Sequence, residues 1–368
     1  MDRNILNKLA HAAVKAPSGD NCQPWRFKFQ GDDSLLIEIV PKEAKSFFDY
    51  RLRGSLLSLG AVVENIRTQA WIEGFDLDVD YCWSSDDIEH TIRVQLLPGT
   101  RTRVSLARIH AMNNRTVNRR PYLPLRVSDR DIDLVLAEPV EGVNTTLIRS
   151  RRDIFKWARV VQLADTIRYS HPVIHEELFD KLRFSEEEAR NFGTGLEIDR
   201  LGAGPIAKPL MSLIKPWSRM ERLSRFGMVR ILAGQSGFTT VASGALVLLT
   251  IGSDDRELWI KAGERMQRIW ILAQEHGYCT QPVTVGLYLD QRFQRDGMQA
   301  FFPQQESALL ALHQKLEQLL AVDQTGTILF RLGKTWRMKD TAVRQAPEHF
   351  FSEASINEPE KTARGETI

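Results

Sequence analysis

Residues 16–25, APSGDNCQPW, bring Ser18, Asn21 and Gln23 into one short run punctuated by Pro17, Gly19 and Asn21. Small hydroxyl and amide groups at this spacing can hydrogen-bond a flat polar ring, and a bare backbone turn would not need so many of them. A second run, RTVNRRPY at 115–122, holds Arg115, Arg119 and Arg120 close enough together to turn several forked donors on one phosphate group. No aromatic residues are interleaved with these arginines, so nucleic acid is not the expected partner. Other candidates fail on spacing. His171 and His175 lie four apart beside Glu176, but a zinc-binding HExxH starting at His175 needs a histidine where Phe179 stands, which leaves a structural or surface pair. Gly202, Gly204 and Ala207 spell G-x-G-x-x-A without a convincing strand before them and with Pro205 interrupting the turn. Cys22 has no histidine near it in sequence and reads as a packing residue.

The elements that must position these residues follow from apolar periodicity. Ile5, Leu6, Leu9, Ala12 and Ala13 predict a helix leading into the first loop, and residues 26–29 and 34–40 a hairpin leading out of it. A long helix is expected over 51–74, with Gly74 as its C-cap, then strands at 76–83 and 91–97. The second half opens with a helix over 106–113 and another capped by Ser128 with Asp131 three residues on. A strand at 144–149, a helix at 153–169, a strand at 245–252, helices at 257–277 and 305–322 and a strand at 327–332 complete the core. Residues 185–237, broken by glycines and prolines, read as an insertion outside the core sheet. Gly60, Ile66, Ala70 and Gly74 recur as Gly263, Ile269, Ala273 and Gly277, each 203 residues later. Small residues at such intervals let two helices approach closely, which suggests two fused copies of one unit.

Composition bounds the remainder. The 368 residues suffice for two ordinary lobes, and 49 Lys plus Arg against 47 Asp plus Glu give a net charge of +2, so any basic site is local. Cys22, Cys82 and Cys279 are scattered and odd in number, which fits a reducing cytosol and offers no metal spacing. The longest apolar run, 242–251, is too short to span a bilayer, and no signal-peptide organisation precedes the first helix. A soluble, cytoplasmic protein is expected.

The loop at 16–25 resembles the Pro-Ser-x-x-Asn-x-Gln-Pro-Trp loop of the FMN-binding nitroreductase superfamily. RTVNRRPY resembles that family's Arg-x-Ser-x-Arg phosphate motif, with Arg115 and Arg119 at the basic positions and Val117 where a hydroxyl is usual, so that Thr116 or Asn118 would have to replace it. ILFRLGKTWRMKDTAVRQAPEHFF, at 328–351, resembles the family's closing strand and basic tail; Arg344 matches the late phosphate-binding arginine, with Arg337 and Lys339 as rivals. With the loop in one half and the phosphate motif in the other, the chain looks like the fused, double-lobed (Acg-like) subgroup. The resemblance implies an α+β, nitroreductase-like fold of two pseudo-symmetric lobes, each a mainly antiparallel sheet flanked by helices. Those lobes would be 1–104 and 105–351, the second carrying the insertion 185–237, before a disordered tail at 352–368. It implies one FMN per chain, held by Pro17, Ser18, Gly19, Asn21, Gln23, Arg115, Arg119 and Arg344, with Thr284 offering a backbone N–H to the flavin N5. The implied function is hydride transfer from NAD(P)H through FMN to a small aromatic, nitro or quinone-like acceptor; the alternative is an FMN-binding or storage protein with a closed site. A monomer mimicking the family dimer, or a further homodimer, would result. Residues 206–234 are basic and amphipathic; a lid over the flavin is favoured over membrane contact because Pro209 and Pro216 would break a long interfacial helix.

Overall fold

The first apolar stripe folds as helix α1 (Arg3–Ala13), which buries Leu6, Leu9 and Ala13. The computed structural model describes residues 3–31, 33–81, 90–99, 104–202, 204–336, 338 and 341–352. After the site loop, β1 (Trp25–Gln30) and β2 (Ser34–Ile39) pair as the expected antiparallel hairpin. Helix α2 (Arg53–Glu73) ends at Gly74, whose φ of 85° is the left-handed cap conformation. Strands β3 (Phe75–Asp80) and β4 (His90–Pro98) follow; the end of the strand expected at 76–83 lies outside the described residues.

Helix α3 (Leu106–Asn114) leads to the arginine motif, and α4 (Asp129–Val135) begins where Ser128 Oγ accepts the Asp131 N–H at 3.1 Å. Next come β5 (Val143–Ile148), α5 (Arg151–Tyr169), α6 (Pro172–Lys181), β6 (Leu182–Arg183), α7 (Glu186–Phe192) and β7 (Leu196–Glu197). Three helices follow: α8 (Ala207–Ile214), α9 (Trp217–Arg225) and α10 (Met228–Val241). Pro216 separates α8 from α9, so residues 206–234 do not form one long helix. The chain then forms β8 (Ala245–Ile251), α11 (Arg256–Glu275), β9 (Cys279–Pro282), α12 (Val285–Asp296), α13 (Glu306–Leu319), β10 (Thr325–Gly333) and β11 (Phe351–Ser352).

The result is an α+β architecture. One sheet has the order β11-β1-β2-β4-β3, antiparallel except where β11 runs parallel to β1; the other, β5-β8-β10-β9, is wholly antiparallel. Every residue of β8 is buried, as a central strand covered on both faces requires. Between the sheets α2 crosses α11 at Gly60 and Gly263. A Cβ on Gly60 would lie 1.9 Å from the Ile260 carbonyl oxygen, and one on Gly263 would lie 2.1 Å from that of Leu57, so only glycine admits this approach. Asn65 and Gln267 hydrogen-bond across the crossing at 2.7 Å, and Glu64 pairs with Arg268 at 2.7 Å.

Two boundaries differ from expectation. The division at 104/105 is crossed, because β11 at the far end of the chain completes the first sheet: Phe27 registers with Phe351, whose ring stacks on those of Phe27 and Phe29 at 5.1 and 5.4 Å. The insertion expected at 185–237 has a small core of its own, but that core starts at Phe179 and ends at Leu232. The rest of α10 packs along α5, with Gly237 against Gln162 and Ala158. The tail beyond 352 lies outside the described residues, as do Cys82, Arg337 and Lys339.

Candidate functional site

The loop between α1 and β1 is held in a costly conformation. Asp20, Asn21 and Gln23 have φ of 47°, 57° and 53°, a region that non-glycine residues enter only when their surroundings enforce it. The enforcing contacts are visible. Ser18 Oγ accepts the Gln23 N–H at 2.9 Å; Asn21 Nδ2 donates to the Val343 carbonyl at 2.8 Å; Lys181 pairs with Asp20 at 3.2 Å. Gln23, 1 % exposed, donates from Nε2 to the carbonyls of Gly193 at 2.8 Å and Asn21 at 3.1 Å, and its Oε1 accepts the Gln345 N–H at 3.3 Å. This corrects one expectation. The Gln23 amide does not face a ligand but ties the loop to the insertion and to the C-terminal segment, its chemistry exhausted by three backbone partners.

Pro17, Ser18, Gly19 and Asp20 wall a cavity of about 380 Å³. Opposite them are residues 281–286, Thr284 included, where β9 ends and the first turn of α12 presents N–H groups with no intrahelical partner. Ser55 and Ser58 of α2 and Trp270 of α11 also line it, and Leu196, Leu201, Met211 and Leu232 line it from the insertion. Gly202 makes that approach possible: a Cβ there would sit 2.9 Å from the Arg119 carbonyl carbon.

A second cavity, about 340 Å³, adjoins the first, with Pro17, Ser18, Asp20, Val117 and Arg119 as shared walls. Its walls carry Lys15, Asn21, Arg115, Thr116, Arg200 and Arg344. Arg115 is 6 % exposed and lies 4.1 Å above the Trp270 ring, with one hydrogen bond, 3.3 Å to the Lys15 carbonyl. Burial first, and then the nearby Arg344 guanidinium, disfavour its charge; burial alone lowers Arg344 to about 10. Among the described residues no carboxylate pairs with either. Arg115 Nε, Arg344 Nη1 and Trp270 Nε1 are buried without a partner. Two unneutralised cations with idle donors, walling a cavity that adjoins the first, fit a dianionic group such as a phosphate monoester. Arg119, which lines both cavities, donates to the Arg200 carbonyl at 3.2 Å; burial lowers its pKa while Asp20 opposes the shift.

Eight of the nine expected residues therefore line these two adjoining cavities: Pro17, Ser18, Gly19, Asn21, Arg115, Arg119, Thr284 and Arg344. Gln23 does not. Arg120 lines neither cavity, and the partner of Arg115 is Arg344 from more than 200 residues away. Asn118 cannot replace the missing hydroxyl at Val117, since its side chain is buried and donates to the Trp336 carbonyl at 2.9 Å; Thr116 faces the cavity. Cys22 lines the first cavity, and burial pushes its thiol up to about 12, so it is a neutral wall group. His171 and His175 are buried, not on the surface, and bond the carbonyls of Ala300 at 3.2 Å and Lys215 at 2.9 Å. Sequence reasoning missed Arg168, Tyr169 and Lys181, which also face the first cavity. Arg168 lies 3.8 Å from Asp165 and 5.9 Å from the Phe48 ring. These residues sit on ordinary amphipathic helices, where nothing local marks a cavity-facing position. Among the described residues no group of His, Cys, Asp and Glu is placed to hold a metal, and no helix is long and apolar enough to cross a membrane.

No family model matches the chain. It is 28 % identical over 329 residues to an uncharacterized protein, MT1398, of Mycobacterium tuberculosis (strain CDC 1551 / Oshkosh); the match takes in 88 % of this chain and 45 % of that protein, so the chain spans less than half the length of the curated relative. Solved structures similar to it include a nitroreductase with bound FMN from Desulfitobacterium hafniense DCB-2, at 10 % identity and a TM-score of 0.35, covering 66 % of this chain and 96 % of that one. Nitroreductase A from Vibrio parahaemolyticus RIMD 2210633 has 8 % identity and a TM-score of 0.35, with 70 % and 79 % covered. The FMN-dependent nitroreductase NfnB from Mycobacterium smegmatis in complex with NADPH has 12 % identity and a TM-score of 0.33, with 71 % and 98 % covered.

Proposed function

We propose that the chain binds FMN in this cleft and acts as an oxidoreductase of the nitroreductase type, taking hydride from NAD(P)H and passing it to a small aromatic, nitro or quinone-like acceptor. The observation that carries this reading is the buried pair Arg115 and Arg344, without a carboxylate partner among the described residues, at one end of a cleft whose other end has room for a flat ring system. Bound there, the flavin would supply the hydride chemistry, as cofactors do, while the protein supplies position and field. Arg115, Arg344 and Arg119 would hold the phosphate, with Thr116 as a neutral donor. The strained loop at 17–20 and the first turn of α12 would hold the ring between them, the helix N-terminus favouring electron density beside it. Leu196, Leu201, Met211 and Leu232 would exclude water.

The same cover supports a second reading, an FMN-holding protein whose insertion limits access to the site. Both readings place one flavin on each chain, with the chain alone doing the work of a dimer in a reducing cytosol. The deciding experiment is to purify the protein, measure flavin per chain, and mix it without oxygen with NADH or NADPH. Close to one FMN per chain and bleaching of the flavin band on mixing are expected. A flavin band that does not bleach assigns the holding role; a ratio near two, or no flavin after reconstitution, refutes both.

A further inference from the structure

Helices α8, α9 and α10 bury Met211, Ile214, Met220 and Leu232 on their inner side. Their outer side is not an ordinary solvated face. Phe226 is 87 % exposed, Ile231 65 % and Phe238 62 %, and Phe155 on the adjoining α5 is also exposed, three residues before the Ala158 that lies against Gly237. The same stretch exposes Lys208, Lys215, Arg219, Arg222, Arg225 and Arg230 against the single acid Glu221. None of these six cations is paired with a carboxylate among the described residues, so the stretch concentrates uncompensated positive charge. Large exposed apolar groups set among unneutralised cations are the equipment of a surface that meets something both apolar and anionic.

We propose that this face is a peripheral docking surface for an anionic lipid bilayer. Phe226, Ile231 and Phe238 enter the boundary between headgroups and acyl chains, and Arg219, Arg222, Arg225 and Arg230 lie along the headgroup phosphates with their stems following the apolar groups inward. A second copy of the chain fits less well, because a two-fold contact through this face would set the same cations against themselves. The lid and membrane roles draw on different residues of the same helices: Met211 and Leu232 line the cavity, whereas Phe226, Ile231 and Phe238 are exposed. Gln235 is exposed and also lines the first cavity, with Ile231 and Phe238 one turn to either side on α10. The cavity mouth would therefore open against the lipid, within reach of a lipophilic ring-bearing acceptor; that last step rests on the flavin reading, whereas the docking does not.

Co-sedimentation of the full chain with vesicles tests the docking without reference to flavin. Vesicles of equal phosphatidylglycerol and phosphatidylcholine should retain the protein at low salt and release it at high salt, and phosphatidylcholine alone should not retain it. Changing Arg219→Gln, Arg222→Gln and Arg225→Gln together should weaken binding by about fivefold for each arginine, on the order of a hundredfold in all. Phe226→Ser with Ile231→Ser should weaken the binding seen at low salt, because the apolar insertion is lost while the cations remain. The thermal midpoint and flavin content should stay at wild-type values in both variants, since these side chains are exposed. Absence of binding to either vesicle, or binding undiminished by the arginine changes, overturns the proposal. So does self-association that Phe226→Ser with Ile231→Ser abolishes, which would give the face to a second copy. Failure on any of these counts leaves the cofactor assignment untouched.

Discussion

Replacing Arg115 with Met should make the ligand-free protein more stable and its grip on FMN weaker. The side chain is buried, its Nε has no partner, and both burial and Arg344 work against its charge. An uncompensated buried charge costs about 3–5 kcal/mol. Against that, Met forfeits the contact with the Trp270 ring, about 2 kcal/mol when desolvated, and the 3.3 Å hydrogen bond to Lys15, about 0.5–1.5 kcal/mol. The balance of these central values is a gain of about 1 kcal/mol in the absence of ligand. With FMN bound, the same change deletes a charge-assisted contact of about 1.5–3 kcal/mol, so Kd should rise about 10- to 150-fold. Denaturant unfolding in phosphate-free buffer reads the first effect, and flavin fluorescence titration reads the second. A lower unfolding midpoint together with an unchanged Kd would show that Arg115 is a structural cation, and the phosphate assignment would be wrong.

Gln23→Leu should leave the Gly193 carbonyl and the Gln345 N–H unpartnered, costing about 1–3 kcal/mol for each buried group, and amide exchange over 341–347 should quicken; unaltered exchange there would refute the tie. Ser18→Ala should lower stability by about 1 kcal/mol, through the Gln23 N–H it now satisfies, and weaken FMN binding less than Arg115→Met does. Gly60→Ala should cost about 3 kcal/mol or more, because its Cβ meets backbone and not a movable side chain; a wild-type denaturant midpoint would contradict the crossing. Burial holds His171 and His175 below the ordinary imidazole value of 6.5. As pH falls below that value the unfolded chain takes up protons the native state refuses, so stability should decline in this range and stay level above it. A melting temperature indifferent to pH between about 5 and 7, or an equal slope in His175→Gln, would speak against this.

The site was legible where its chemistry lies in contiguous residues and obscure where tertiary packing decides. Ser18, Arg115 and Arg119 could be found because hydroxyls, amides and guanidinium groups concentrated in two runs have few other uses. The true bearing of Gln23 could not be, since a residue with φ of 53° points wherever its distant partners hold it, and those partners are Gly193 and Gln345. Arg344 and its place beside Arg115 were reached through a resemblance alone, because no local pattern joins residues more than 200 positions apart. Among the elements, long helices such as α2 and α11 announce themselves by period, whereas α12 follows β9 after only two residues and opens with Val285 and Gly286, which carry no helical signal. A strand of two residues, β11, has no period at all.

The parallel pairing of β11 with β1 also sets a timetable for the newborn chain. Asn21 and its partner Val343 are 322 positions apart, so at ribosomal rates of 5–20 residues per second the first sheet waits about 16–64 s for its last strand. Throughout that interval the outer edge of β1 is an unpaired strand flanked by Phe27 and Phe29, a ready template for a neighbouring nascent copy. The same late arrival brings Arg344. The cleft thus acquires its second cation at the moment the edge is sealed, so the site is completed only when the exposed strand is covered.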